Sequence, residues 1–96
     1  MCGIVGVLRL DHGPPLEETV LIQMRDTLVH RGPDGKGLYL SPERNVGLAH
    51  RRLTIVDLSE AGRQPMSNEE GTIWISYNGE VYNHLELRRA LENCGH

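Results

Sequence analysis

The chain has 96 residues, 24% of them charged, and a formal net charge of -3 with acids and bases interspersed. That is one domain or part of one, with length for a single core and not for two, and it lacks the basic patch that nucleic-acid binding needs. Its longest apolar runs fall far short of the roughly 20 residues of a membrane span, and no basic leader with an apolar stretch opens it, so neither membrane insertion nor a secretory signal is expected.

Residues Gly3 to Leu10 (GIVGVLRL) are apolar and β-branched enough for a strand. They lack clean alternation, which predicts burial on both faces. Asp11 to Pro15 (DHGPP) is a turn and helix lead-in. From Leu16 to Val29 the apolar positions Val20, Leu21, Met24 and Leu28 recur at helical spacing, with Glu17 and Glu18 suiting the first turn. His30 to Gly37 (HRGPDGKG) breaks the helix as a glycine-rich loop. A short strand over Leu38 to Leu40 and a turn over Ser41 to Asn45 follow. Val46 to Asp57 (VGLAHRRLTIVD) reads as a strand that its two arginines could kink. Leu58 to Gly71 is a polar connection, Thr72 to Tyr77 (TIWISY) an alternating strand, and Glu80 to Tyr82 a candidate for another. Asn83 caps a final helix, and Gly95 suits its C-terminal cap. A chain ending on a helix cap reads as the front part of something longer. Strands grouped between helices predict an α+β fold with antiparallel sheets.

Two cysteines, Cys2 and Cys94, lie at opposite ends of the chain. They do not look like a disulfide framework, which fits a reducing, cytoplasmic location and leaves a thiol to explain. Cys2 directly follows the initiator methionine. It could simply start a strand. If Met1 is removed, however, Cys2 carries a thiol and a free α-amine on one residue. Their ordinary pKa values lie at about 8.5 and about 8, so the amine can take the thiol proton and no separate side-chain base is needed.

Tyr77-Asn78-Gly79-Glu80 has two readings. Asn-Gly between strands is the commonest hairpin turn signal. The Asn78 amide and the Gly79 N–H could instead point at one spot as an oxyanion hole, with glycine allowing close approach. Arg51 and Arg52 sit oddly inside an apolar strand unless one is paired. Either can form a structural ion pair with Asp57 or another acid, or grip a carboxylate with the planar guanidinium fork. Arg31-Gly32-Pro33-Asp34-Gly35 lacks the Lys-Ser/Thr of a phosphate loop and reads as a turn. His12, His30, His50, His84 and His96 never fall at metal-site spacing with the cysteines, so no metal site is expected.

In combination these segments are far more specific. MCGIVGV, VHRGPDGKG, LAHRRLTIVDLSEAGRQPM and YNGEVYNHLELRRAL, in that order, resemble the N-terminal glutaminase domain of the glutamine-hydrolysing asparagine synthetases, a class II glutamine amidotransferase. The RGPD form looks more like that family than like its purine- or glucosamine-pathway relatives. The resemblance covers nearly the whole chain, so residues 1–96 are expected to be the N-terminal part of such a domain. It implies an Ntn-hydrolase αββα sandwich of antiparallel sheets, incomplete in this chain. It implies that Met1 is removed and that Cys2 attacks the side-chain carboxamide of L-glutamine, releasing ammonia and then glutamate. Cys2, Asn78 and Gly79 match the family's catalytic positions. Arg52 matches the arginine holding the glutamine α-carboxylate, Leu53, Thr54, Ile55 and Val56 match the pocket beside it, and Glu80 matches a position near the substrate's amino end. Arg31 and Asp34 match a structural loop above the site.

Family members continue past this point, with a later aspartate on the substrate's amino group and a C-terminal synthetase domain using ATP and Mg2+. Neither has a counterpart here, so no cofactor is expected in this chain, and a homodimer of the full-length protein stays open. Two alternatives remain: a truncated non-catalytic remnant, and the glutaminase part of an amidotransferase with another acceptor.

Overall fold

The computed structural model of the chain describes residues 2–53 and 62–96. The described residues form an α+β arrangement of five strands and two helices. In chain order these are β1 (Gly3–Leu8), α1 (Glu18–Asp26), β2 (Gly35–Leu40), β3 (Val46–Arg52), β4 (Met66–Ser67), β5 (Trp74–Ile75) and α2 (His84–Asn93). The strands form two antiparallel sheets, one ordered β1-β3-β2 and one a short β4-β5 hairpin. Among the described residues, no helix is long and apolar enough to cross a membrane.

Strand β3 is the middle of the larger sheet, with Gly3 opposite Arg51 on one side and Gly35 opposite Arg52 on the other. The β2–β3 connection is held by Ser41. Its buried hydroxyl accepts from the backbone N–H groups of Asn45 and Val46 at 3.2 and 3.0 Å. Arg44 takes a left-handed φ of 55° there, a conformation uncommon outside glycine and asparagine.

Because side chains alternate along a strand, the sheet has two distinct faces. Gly3, Gly47, Ala49 and Arg51 share the face that α1 covers. A Cβ at Gly47 would meet the Leu21 side chain at 2.5 Å, and one at Gly3 would meet that of Leu28 at 2.8 Å. Missing side chains on the sheet thus admit the helix's leucines. Among the described residues the buried apolar core is small: Leu16, Leu21 and Ala49. Two polar contacts lock the same face. Arg51 donates from Nε to the Gly32 carbonyl at 2.9 Å and lies 3.6 Å from Asp26. Arg25, also buried, pairs with Asp26 at 2.9 Å, and that hydrogen bond holds the Asp26 carboxyl below its ordinary 3.8.

The opposite face of the sheet carries Gly37, Tyr39, His50 and Arg52, and the segment from Gly62 to Asn78 lies on it. A Cβ at Gly37 would strike the Gln64 carbonyl, so this close backbone approach demands glycine. Tyr39 stacks on Trp74 with ring centroids 4.1 Å apart.

Several expectations need correction. Strand β1 is covered on one face only: Ile4 and Leu8 remain 50% and 62% exposed. The inward stripe of α1 is Leu21 and Arg25, continued by Leu28 just past the helix, while Val20 and Met24 are exposed. Arg25 takes an inner position because Asp26 neutralises it. Strand β2 starts earlier, at Gly35. The polar connection contains β4, β5 is only two residues long, and Glu80–Tyr82 forms no strand. Asn83 occupies the N-cap position of α2 without a side-chain cap bond. The Gly95 cap is present: its φ is +93°, and the His96 N–H donates to the Leu91 carbonyl at 3.0 Å, the pattern of a glycine-terminated helix.

The α1 face yields a direct comparison. Leu21→Ala should cost about 2–5 kcal/mol, and Val20→Ala at most about 0.5 kcal/mol, in urea denaturation of the full chain. Equal losses at the two positions would contradict the assigned face.

Candidate active site

Pairing of β1 with β3 sets the geometry. Since Gly3 opposes Arg51, Cys2 arrives beside the end of β3, where the chain continues into Leu53. The Leu53 N–H donates to Cys2 Sγ at 3.3 Å, and Sγ stands 3.9 Å from the Leu53 carbonyl. The Cys2 carbonyl accepts from two side chains, Arg31 Nε at 3.3 Å and Asn78 Nδ2 at 3.2 Å. The half-buried Cys2 is therefore held at its sulfur and at its backbone.

A cleft of about 690 Å³ opens beside it, and Cys2, Arg52, Leu53, Asn78, Gly79 and Glu80 all line it. A smaller hollow of about 530 Å³ shares Cys2 and Asn78 and is lined also by Arg31 and Leu28. The structure thus brings together every expected site residue that it describes. Thr54, Ile55 and Val56 lie outside the described residues, as does Asp57.

The puzzle of adjacent arginines resolves through strand alternation. Arg51 points to the helix face and its partner there is Asp26. Arg52 points to the cleft, with its guanidinium against Gly62. The Arg31–Asp34 loop is stitched to the same strand end: the Asp34 N–H donates to the Arg52 carbonyl at 3.0 Å, and Pro33 bridges Arg52.

The Asn78–Gly79 pair is not a hairpin turn, since no strand follows it before α2. The segment is tied down instead. The Tyr77 N–H donates to Gln64 Oε1, and the Tyr77 hydroxyl donates to the Glu80 carbonyl at 3.3 Å.

Sequence reasoning missed two contributors. Arg31 reads as a loop residue, yet it grips the nucleophile candidate's own carbonyl across 29 positions. From sequence, His50 stands out only as a possible metal ligand. It is almost fully buried, lines the cleft, and its Nδ1 lies 2.8 Å from Ser76 Oγ. Among the described residues its buried Nε2 has no hydrogen-bond partner. Burial, and then the positive charge of Arg52, push His50 below its ordinary 6.5, so it is neutral near pH 7. Among the described residues, no group of three or more His, Cys, Asp or Glu side chains could hold a metal ion.

The model for the family described as a glutamine amidotransferase domain matches residues 1–96. The chain belongs to the glutamine amidotransferase domain family. Among its curated relatives, it is 45% identical over 101 residues to asparagine synthetase [glutamine-hydrolyzing] 1 of Bacillus subtilis, covering all of this chain and 15% of that protein. It is 42% identical over 93 residues to asparagine synthetase [glutamine-hydrolyzing] 1 of Arabidopsis thaliana, covering 97% of this chain and again 15% of the relative. A second Bacillus subtilis asparagine synthetase [glutamine-hydrolyzing] is 41% identical over 95 residues, of which the chain spans 12%. The amidotransferase chain therefore spans less than a sixth of the length of these relatives. No solved structure matches it.

Neutral, buried His50 gives this amidotransferase domain a defined pH response. Its folded pKa is depressed, so below about 6.5 the unfolded chain binds the proton more readily than the folded one. The stability that neutral His50 contributes is complete above 6.5 and is lost as pH falls through the lower folded value. Urea midpoints should fall across that window and fall less in His50→Asn. A flat profile, or an equal fall in the variant, would contradict this.

Proposed function

We propose that this chain hydrolyses the side-chain amide of glutamine through Cys2, as the glutaminase part of an asparagine synthetase. The observation that carries this reading is the convergence on one cleft of a thiol held by an N–H, a strand-end arginine, and an Asn-Gly pair. The names of the relatives support the glutamine and asparagine assignments.

The chemistry follows from the groups present. Removal of Met1 frees the Cys2 amine, which takes the thiol proton. Sulfur adds to the glutamine amide carbon, and the carbonyl oxygen becomes an oxyanion. Asn78 rests one Nδ2 hydrogen on the Cys2 carbonyl, and the second hydrogen of that amide remains for the oxyanion beside the Gly79 N–H. The C–N bond breaks, and nitrogen leaves as ammonia with the proton from the amine. Water then adds to the thioester, the C–S bond breaks, and glutamate departs with the thiol restored. Arg52 receives the glutamine α-carboxylate in its planar fork, and Glu80, on the cleft wall, faces the α-ammonium. Leu53 contributes its backbone, and we carry Thr54, Ile55 and Val56 as further pocket residues.

We assign residues 1–96 to the front of an Ntn-hydrolase αββα sandwich, with the two antiparallel sheets as its beginnings. The ammonia would pass to a C-terminal synthetase domain of the kind the longer relatives carry, for which ATP and Mg2+ would supply the activation of aspartate.

Steady-state kinetics with glutamine separate the roles. Asn78→Ala should lower kcat by about 100-fold or more, with KM little changed. Arg52→Lys should mainly raise KM, because a point charge replaces a fork. Weaker binding with unchanged kcat in Asn78→Ala, or unchanged KM in Arg52→Lys, would overturn these assignments.

A further inference from the structure

The Asn78–Gly79 segment belongs to neither side of the main sheet. Among the described residues, strand β5, which leads into it, pairs only with β4, and β3, which carries Arg52, pairs only with β1 and β2. No ladder of backbone hydrogen bonds fixes one against the other. Among the described residues, side-chain links set their relative position: Asn78 Nδ2 reaches the Cys2 carbonyl at 3.2 Å, and His50 Nδ1 joins β3 directly to Ser76 Oγ at 2.8 Å.

We propose that His50 is a positioning residue that, through Ser76, fixes the Asn78–Gly79 segment against the strand end bearing Arg52 and Leu53. The proposal rests on the glutaminase reading of the cleft. His50 lies two residues before Arg52 and Ser76 two residues before Asn78, so the link sits at the root of both functional groups. Strand alternation puts His50 and Arg52 on the same face. The site is built for this bond rather than for packing. His50 is 1% exposed, and among the described residues its buried Nε2 has no partner. An apolar side chain would fill the space and leave no nitrogen unsatisfied. What the imidazole adds is a short, rigid arm whose Nδ1 reaches Ser76. Being neutral, it makes this bond without placing a second cation beside Arg52. A supporting bond of this kind matters because small displacements of an oxyanion donor cost rate steeply.

The consequence is specific. Loss of the link loosens the oxyanion donors while Arg52, on its own strand, still receives the substrate. The test is a double-mutant cycle in the full chain: Ser76→Ala, His50→Ala, the double variant, and His50→Asn, whose amide falls near the position of Nδ1. Kinetics with glutamine are read beside hydrogen exchange at the Tyr77 amide. Ser76→Ala and His50→Ala should each lower kcat about 10- to 100-fold with KM changed by less than about 3-fold. The double variant should be no worse than the worse single one, and His50→Asn should recover most of the rate. Exchange at Tyr77 should quicken in both alanine variants. If His50→Ala fails to fold, Ser76→Ala, which removes one atom from a half-buried site, decides alone. Wild-type kcat and unchanged exchange in Ser76→Ala, or additive losses in the cycle, would overturn the proposal. A wild-type chain without glutaminase activity whose Tyr77 exchange still responds to Ser76→Ala would sink the glutaminase reading and leave the link standing.

Discussion

The register of β1 against β3 governs this molecule. With Gly3 opposite Arg51, the residue before β1 meets the residues after Arg52, and Cys2 Sγ comes within reach of the Leu53 N–H. A slip of one residue would turn every side chain of the strand to the other face. Arg52 would then face the helix, Arg51 the cleft, and the sulfur would lose its donor. Thus one antiparallel pairing sets the position of the thiol, the direction of the arginine and the face on which the Gly62–Asn78 segment lies.

The two faces of that sheet are held by different physics. On the helix side, glycines at positions 3 and 47 admit Leu28 and Leu21, and a buried arginine pair shares Asp26. On the cleft side there is little apolar burial. The segment there is held by a ring stack, a glycine contact and a few hydrogen bonds. Stability comes mainly from the helix side, and geometry for chemistry comes from the cleft side. Helix α2 has no buried residue, and its first residue, His84, lines the cleft.

Much of this was legible in the residues. The order of strands and helices, the thiol behind Met1, and the Asn-Gly pair all carry strong local signals, and the matching of four segments to one family joined them. Other features were not legible, for physical reasons. The two arginines could be sorted only once strand phase was known, because either could face the cleft. Arg25 displaced Met24 from the inner stripe of α1 because a neighbouring aspartate makes a buried arginine tolerable, which hydrophobic periodicity ignores. Arg31, His50 and Ser76 act through contacts spanning 29 and 26 positions, and no local pattern marks such pairs. A lone buried histidine two residues before an arginine looks like any strand residue until its partner is known.

The most direct test of Cys2 as the nucleophile of an assembled cleft is mass spectrometry of the full chain before and after incubation with a glutamine-like diazoketone. The account predicts a chain lacking Met1 and carrying one adduct, mapped to Cys2, with the exposed Cys94 unmodified. Retention of Met1, or labelling of Cys2 and Cys94 alike by general thiol reagents and of neither by the glutamine analogue, would contradict it.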